Sequence, residues 1–164
     1  MILVTVGMQL GFDRLIEAMD ELAPTLPMPV FAQVGKGTYK ARNIETATSI
    51  SPTDFDKLIA DTRLLVAHAG IGTVLTAQKF RKPILLFPRR ASMGEHRNDH
   101  QLATVGQLQG RAGIVVAMNT EDLPAAIATG LQMDLPESPV VPQRDRLKAS
   151  LEAFINNGKF PAIA

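Results

Sequence analysis

The chain has 164 residues and a net charge of +1, with 46% hydrophobic and 20% charged residues; this is the balance of a folded globule, not of a disordered chain or of a nucleic-acid binder with a concentrated basic face. The absence of cysteine excludes disulfides, thiolate metal sites and a cysteine nucleophile. No apolar run approaches the roughly 18 residues that span a bilayer, and no signal-type segment precedes the first strand, so the expected location is cytoplasmic, peripheral to the membrane only through a partner.

In chain order, the first predicted strand covers residues 2–6 and ends in the small turn Thr5-Val6-Gly7-Met8-Gln9-Leu10-Gly11. An amphipathic helix over 12–22 leads to a second strand, 30–34, followed by Gly35-Lys36-Gly37, which reads either as a plain loop or as one lying over a nucleotide. A strand over 46–50 runs into Ser51-Pro52-Thr53-Asp54, a helix start with an N-cap, a proline at N1 and an acid in the first turn, for a helix over 53–60. The apolar strand 64–67 turns through His68-Ala69-Gly70-Ile71-Gly72-Thr73 into a helix over 73–80. Lys82-Pro83 closes that helix and opens the strand 84–87. After the polar loop from Pro88 to Gln101 and a helix over 97–107 come a strand, 113–116, and a helix over 120–131 with Asn119 as its cap. The proline-bearing stretch 136–142 is the one linker-like segment, ahead of a last helix over 143–156.

Nearly continuous hydrophobic strands that alternate with helices predict an α/β fold: a Rossmann-like, doubly wound parallel sheet with helices on both faces. The expected division is a nucleotide-sugar-binding domain over 1–135, with linker and C-terminal helix over 136–164 as a docking element for a partner. In the strand order 3-2-1-4-5-6, strands one and four flank the switch point where ligands bind. Both of those strands end in glycine turns here.

The turn at His68 is the most informative stretch. A strand passing through two glycines into a helix presents free N–H groups and the positive end of a helix dipole, which is an anion site. Gly70 and Gly72 allow a phosphate to come close, while Thr73 and His68 add donors; the competing reading is a tight turn around a buried histidine. A dinucleotide fingerprint fits poorly, because Leu75 occupies the place of the third glycine. In the loop Pro88–Gln101, the run Glu95, Asn98, Asp99, His100 and Gln101 offers donors and acceptors for the hydroxyls of a sugar, or else is a solvated loop with a helix cap. Arg89 and Arg90 read as neutralising a diphosphate or as exposed surface. Asp54 and Asp56 have acid-x-acid spacing, which helix-dipole compensation explains without a metal. His96 and His100 are four apart, yet no third ligand accompanies them, so no metal is assigned. There is no Gly-x-Ser-x-Gly elbow and no Walker loop.

Taken together, His68-Ala69-Gly70-x-Gly72-Thr73, Lys82-Pro83-Ile84-x-x-Phe87-Pro88 and Asn98-Asp99-His100-Gln101 resemble the C-terminal, donor-binding half of family 28 glycosyltransferases. The resemblance is closest to stand-alone subunits of the PssE type in exopolysaccharide synthesis, and it extends to the small catalytic subunit of the eukaryotic transferase that adds a second N-acetylglucosamine to a dolichol-linked sugar. It implies a single half of a GT-B fold that binds a UDP-sugar as donor, with no other cofactor. His68, the catalytic residue, would donate to the distal phosphate; Gly70, Gly72 and Thr73 would hold the diphosphate. Asp99, His100 and Gln101 would lie near the sugar, and Gly7 at the edge of the crevice. Where relatives carry an acid for the ribose hydroxyls this chain has Thr76. The implied function is an inverting, metal-independent hexosyl transfer to a lipid-linked saccharide, with a membrane-anchored subunit supplying the acceptor site and the general base. A non-catalytic nucleotide-binding or scaffold subunit, or an epimerase-like protein, is the alternative.

Overall fold

A computed structural model describes residues 1–134. Strands β1 (Ile2–Thr5), β2 (Val30–Gln33), β3 (Glu45–Ala47), β4 (Leu64–Ala67), β5 (Ile84–Leu86) and β6 (Ile114–Val116) alternate with helices α1 (Asp13–Leu22), α2 (Pro52–Ala60), α3 (Ile71–Lys79), α4 (His100–Leu108) and α5 (Leu123–Gln132). All pairings are parallel, in the order β3-β2-β1-β4-β5-β6. This is the expected Rossmann-like sheet, and its switch point lies between β1 and β4.

The strands are apolar throughout because both sheet faces are covered. Successive side chains alternate between faces. On one face Ile2, Val4, Leu64, Val66 and Leu85 pack with Leu15, Ile16 and Met19 of α1 and Leu123 and Ile127 of α5. On the other, Leu3, Leu65, Ala67, Ile84 and Leu86 meet Ile59 of α2, Val74 and Ala77 of α3, and Val105 and Leu108 of α4. Each buried Val, Leu, Ile or Met side chain among these contributes roughly 1.5–3 kcal/mol. The frame holding the β1 and β4 turns side by side is therefore buried on both faces. Register then sets the site, since Thr5 pairs with Ala67 and the turns at Gly7 and His68 leave the sheet together.

Several boundaries differ from those expected, each for a local reason. Helix α3 begins at Ile71, two residues before the predicted start, so Gly72 stands in its first turn instead of ahead of it. Helix α4 begins at His100, three residues beyond the predicted start, because the side chains of Asn98 and Asp99 serve the preceding loop. The expected helix over 120–131 divides into a short 3-10 turn, Thr120–Asp122, closed by a capping box with Asn119, and α5 proper. Strand β3 stops at Ala47 because it is an edge strand with one neighbour, and the chain must turn toward the Ser51 cap of α2. The predicted linker and helix over 143–156 lie outside the described residues.

Polar tethers fix connections at both edges of the sheet. Asp20, buried in α1, accepts from the backbone N–H groups of Arg42, Asn43 and Ile44 and from the Tyr39 hydroxyl, which anchors the loop into β3. Burial pushes its pKa up, but those hydrogen bonds outweigh burial and hold the carboxyl below its ordinary value. The loop Gly35-Lys36-Gly37 is tied down through Thr38, whose N–H and hydroxyl donate to Asp13.

Candidate functional site: an imidazole between two glycines

His68 follows the last residue of β4, and its ring is enclosed on two sides by glycine backbone. A Cβ on Gly7 would stand 2.9 Å from His68 Nε2, and a Cβ on Gly70 would overlap the ring at Cε1. Gly7 also has a positive φ of 78°, which L side chains adopt with difficulty. Gly70 has an ordinary extended backbone (φ −84°, ψ 131°), so the imidazole is what requires its missing side chain. The Gly70 N–H donates to His68 O at 2.8 Å. Gly70 therefore makes room for the ring and has no amide left for a phosphate, a different role from the one its sequence context suggests.

The hydrogen-bond network fixes the His68 tautomer. Gln101 Oε1 accepts from the backbone N–H groups of Ala69 (3.2 Å) and Arg89 (3.0 Å). This sets the orientation of the amide, and Nε2 of Gln101 lies 3.2 Å from His68 Nδ1. An amide nitrogen donates, so Nδ1 accepts and the ring proton sits on Nε2. That edge of the ring borders a cavity of about 290 Å³ lined by Gly7, Met8, Gln9, Leu10, His68, Arg89, His96 and Gln101. Burial, with help from the charges of Arg89 and His96, pushes the His68 pKa down to about 4. At neutral pH the residue is an uncharged donor aimed at the crevice.

Beside it opens the start of α3. Gly70 is the N-cap and makes no side-chain cap. Thr73 N–H and Val74 N–H both turn back to Gly70 O. Among the described residues the N–H groups of Ile71 and Gly72 have no protein acceptor, as expected for the first turn of a helix. Nothing lies within 4 Å of the place a Cβ on Gly72 would take. Two open amides and the positive end of the helix dipole thus stand three and four residues along the chain from the His68 ring. Thr73, in the same turn, is half-buried.

Positive charge enters from an unexpected direction. Arg89 is neither exposed nor free to reach a ligand; it is 2% exposed. Its guanidinium donates to the carbonyls of Val6 (2.8 Å), Leu10 (3.0 Å), Glu95 (3.3 Å) and Gly11, and stacks on the Phe12 ring. Among the described residues no carboxylate pairs with it. It shapes the β1–α1 turn and sets a positive charge in the cavity wall, with the Glu95 carboxylate near but not in contact. Arg90 points elsewhere, to Met118 O and Asn119 Oδ1. Gln33, at the end of β2, donates to Gly7 O and Thr48 O and accepts from Thr5 Oγ1, which fixes the other side of the turn.

The remaining expected residues divide. Thr76 lines a second cavity, about 400 Å³, that shares Gly7 and Met8 with the first and is walled by Ile50, Phe55, Asp56 and Lys79. The Thr76 hydroxyl donates to Gly72 O, and Asp56 pairs with Lys79 at 3.5 Å. Asp54 caps α2 with Ser51. Glu95 is engaged on both oxygens by Arg14 (2.6 and 2.9 Å), and Oε2 also accepts from Arg90 N–H, so it organises the β5–α4 loop. Asp99 Oδ1 accepts from Ala91 N–H; Asn98 contacts His96; Asp99 and His100 are exposed and border neither cavity. Gln101 borders the first cavity, with its polar atoms committed to His68, Ala69 and Arg89. Among the described residues no three potential ligands cluster as a metal site, and no helix is long and apolar enough to cross a membrane.

The depressed His68 pKa has a consequence for stability. The unfolded ring takes a proton near pH 6.5 and the folded one near 4, so between those values the unfolded state binds more protons and stability falls as the pH drops. The loss should be about 2 kcal/mol on going from pH 7 to pH 5. Urea titrations at the two values should show it in the parent and a clearly smaller loss in His68→Gln; equal losses would mean that the ring is not held neutral.

Comparison with known proteins agrees with this architecture. The model of the Glycosyltransferase family 28 C-terminal domain matches residues 1–150. Among solved structures, the chain is similar to one described as Spinosyn Forosaminyltransferase SpnP, with a TM-score of 0.57 at 14% identity, over 79% of this chain and 34% of that one. It is also similar to the glycotransferase of kitacinnamycin, with a TM-score of 0.64 at 18% identity, over 98% of this chain and 43% of that one. At such identities the likeness concerns the fold, and the chain spans less than half the length of either protein. No curated protein matches the sequence.

Proposed function

Because this chain belongs to the Glycosyltransferase family 28 C-terminal domain family, we propose that it is the donor-binding catalytic subunit of a heteromeric, UDP-sugar-dependent glycosyltransferase of the PssE type. It transfers a hexose-type sugar to a lipid-linked saccharide in exopolysaccharide or capsule synthesis. The observation that carries the proposal is the tautomer of His68, held by Gln101 so that Nε2 carries the proton, in the turn that leads straight into the open amides of α3. Transfer from UDP requires stabilisation of a departing diphosphate, and preorganised neutral donors and a helix terminus provide it without reorganisation. The buried charge of Arg89 adds a favourable potential at no cost in flexibility. In this reading the diphosphate sits between His68 and Gly72, and the sugar fills the cavity toward Gln101. The nucleoside lies in the Thr76 cavity, where the Asp56 carboxylate supplies the acceptor for ribose hydroxyls that Thr76 lacks. A single in-line displacement inverts the anomeric carbon.

The acceptor lobe would come from a second, membrane-anchored subunit, which holds this chain at the cytoplasmic face of the membrane. One feature of the surface supports this. The exposed large hydrophobic residues Met8, Leu10, Ile71, Leu75 and Met93 stand in or just after the turns that follow β1, β4 and β5. An apolar rim around a polar site suits a lobe that closes over it.

Calorimetry with UDP in a chelator-containing buffer tests the donor site. The parent should bind, and His68→Ala should bind about 10- to 100-fold more weakly, the loss of one donor to a charged group. The co-assembled complex should lose sugar transfer with it. Absence of binding by the parent, or equal binding by the variant, would rule the proposal out.

A further inference from the structure

We infer that His96 is the general base that deprotonates the acceptor hydroxyl, so that this chain carries both halves of the proton and charge transfer. This rests on the donor-site reading above. His96 comes from the β5–α4 loop and borders the same 290 Å³ cavity as His68. Its Nδ1 lies 3.1 Å from both the backbone oxygen and the side-chain oxygen of Asn98. The Asn98 N–H is also near, but at 3.4 Å. A backbone carbonyl can only accept, and the shorter contact to it favours a proton on Nδ1 over the arrangement in which Nδ1 accepts from the Asn98 N–H. With Nδ1 turned back on its own loop, the Nε2 edge is the one left for a ligand, and among the described residues it has no hydrogen-bond partner. His68 has the opposite arrangement: Nδ1 accepts from Gln101 and Nε2 donates. One cavity thus contains a donor imidazole and an acceptor imidazole, each fixed by its neighbours.

Elimination supports the assignment. Of the residues around that cavity, Arg89 is a cation spent on carbonyls, the Gln101 oxygen holds two backbone N–H groups, and Gln9 is a neutral amide. The nearby carboxylates of Glu95 and Asp99 are committed to Arg14, Arg90 N–H and Ala91 N–H. His96 Nε2 is the proton acceptor left. In the step, the acceptor O–H proton passes to Nε2 as its oxygen forms the bond to the anomeric carbon. The bond from that carbon to the diphosphate oxygen breaks, and its electron pair leaves on UDP, toward His68 and α3. The imidazolium then returns its proton to water.

Two measurements test this. In the complex with the acceptor-binding subunit, His96→Gln should lower kcat by about 100-fold or more, leave UDP affinity by calorimetry within about twofold, and His96→Gly should regain turnover on addition of imidazole. Intact UDP binding with kcat within tenfold of the parent, or His96→Gly turnover unaffected by imidazole, overturns the assignment to His96 alone; failure of the parent to bind UDP overturns the donor site itself. On the isolated chain with UDP, nitrogen-15 spectra of the histidine rings should place the His96 proton on Nδ1 and the His68 proton on Nε2. A His96 proton on Nε2 contradicts the inference even if the variants do not fold.

Discussion

Replacing Arg89 with Met is expected to lower the unfolding free energy by about 4 kcal/mol, because the guanidinium is nearly fully buried and four backbone carbonyls depend on it. Those of Val6, Leu10 and Gly11 belong to the turn that closes one side of the site, and a thioether can donate to none of them. Met fills similar volume beside Phe12, so the effect isolates the hydrogen bonds from packing. The thermal midpoint should fall by about 10 °C. Arg89→Lys should recover little, since one ammonium cannot match a planar fork that serves carbonyls on two loops. A midpoint within about 2 °C of the parent would show that the β1–α1 turn holds itself without this residue.

The second large effect separates binding from stability. Gly72→Ala places a methyl group in open space at a helical position. It should therefore raise stability by about 0.5–1 kcal/mol through helix propensity. The same methyl stands where a phosphate approaches the open amides, so UDP affinity should drop at least about tenfold, roughly the worth of one lost charge-assisted hydrogen bond. Gly70→Ala should weaken binding comparably by another route. Its backbone conformation suits alanine, but the new Cβ would displace the His68 ring, at an overpacking cost of roughly 1–3 kcal/mol. Thermal melts and calorimetry on the two variants should diverge: one more stable, one less, both poor binders. A Gly72→Ala protein that binds UDP like the parent would place the anion elsewhere.

Much of the fold was legible because its signals are local. Strands buried on both faces are apolar without interruption, and Ser51-Pro52 and Asn119 mark helix starts through neighbouring residues, so the alternation and the strand order followed. The His68 turn was legible for the same reason, as a strand, two glycines and a helix in immediate succession. The reasons for the two glycines were not. Gly70 is small because a ring packs on it, and that contact depends on Gln101 holding the ring from another loop. Arg89 was read as diphosphate-binding or exposed, whereas its partners lie in the β1–α1 turn and form only after β1 and β5 enter one sheet. Glu95 joined the sugar-binding candidates, yet its partner Arg14 comes from α1. In the sequence His96 stands out only by its spacing from His100; its place on the cavity is a tertiary fact. One signal was available. Gln33 ends the otherwise apolar β2, and Arg89 follows the apolar run of β5. A polar side chain at the carboxyl end of a buried strand points toward the ligand edge of the sheet, where it must find partners.

The resting place of a diphosphate is the decisive observable. A crystal structure of the chain with UDP should show the β-phosphate within about 3 Å of His68 Nε2 and of the Gly72 amide, with the ribose toward Asp56 and Thr76. UDP bound elsewhere, or an empty crevice at saturating UDP with His68 Nε2 hydrogen-bonded to protein, would contradict the donor-site proposal.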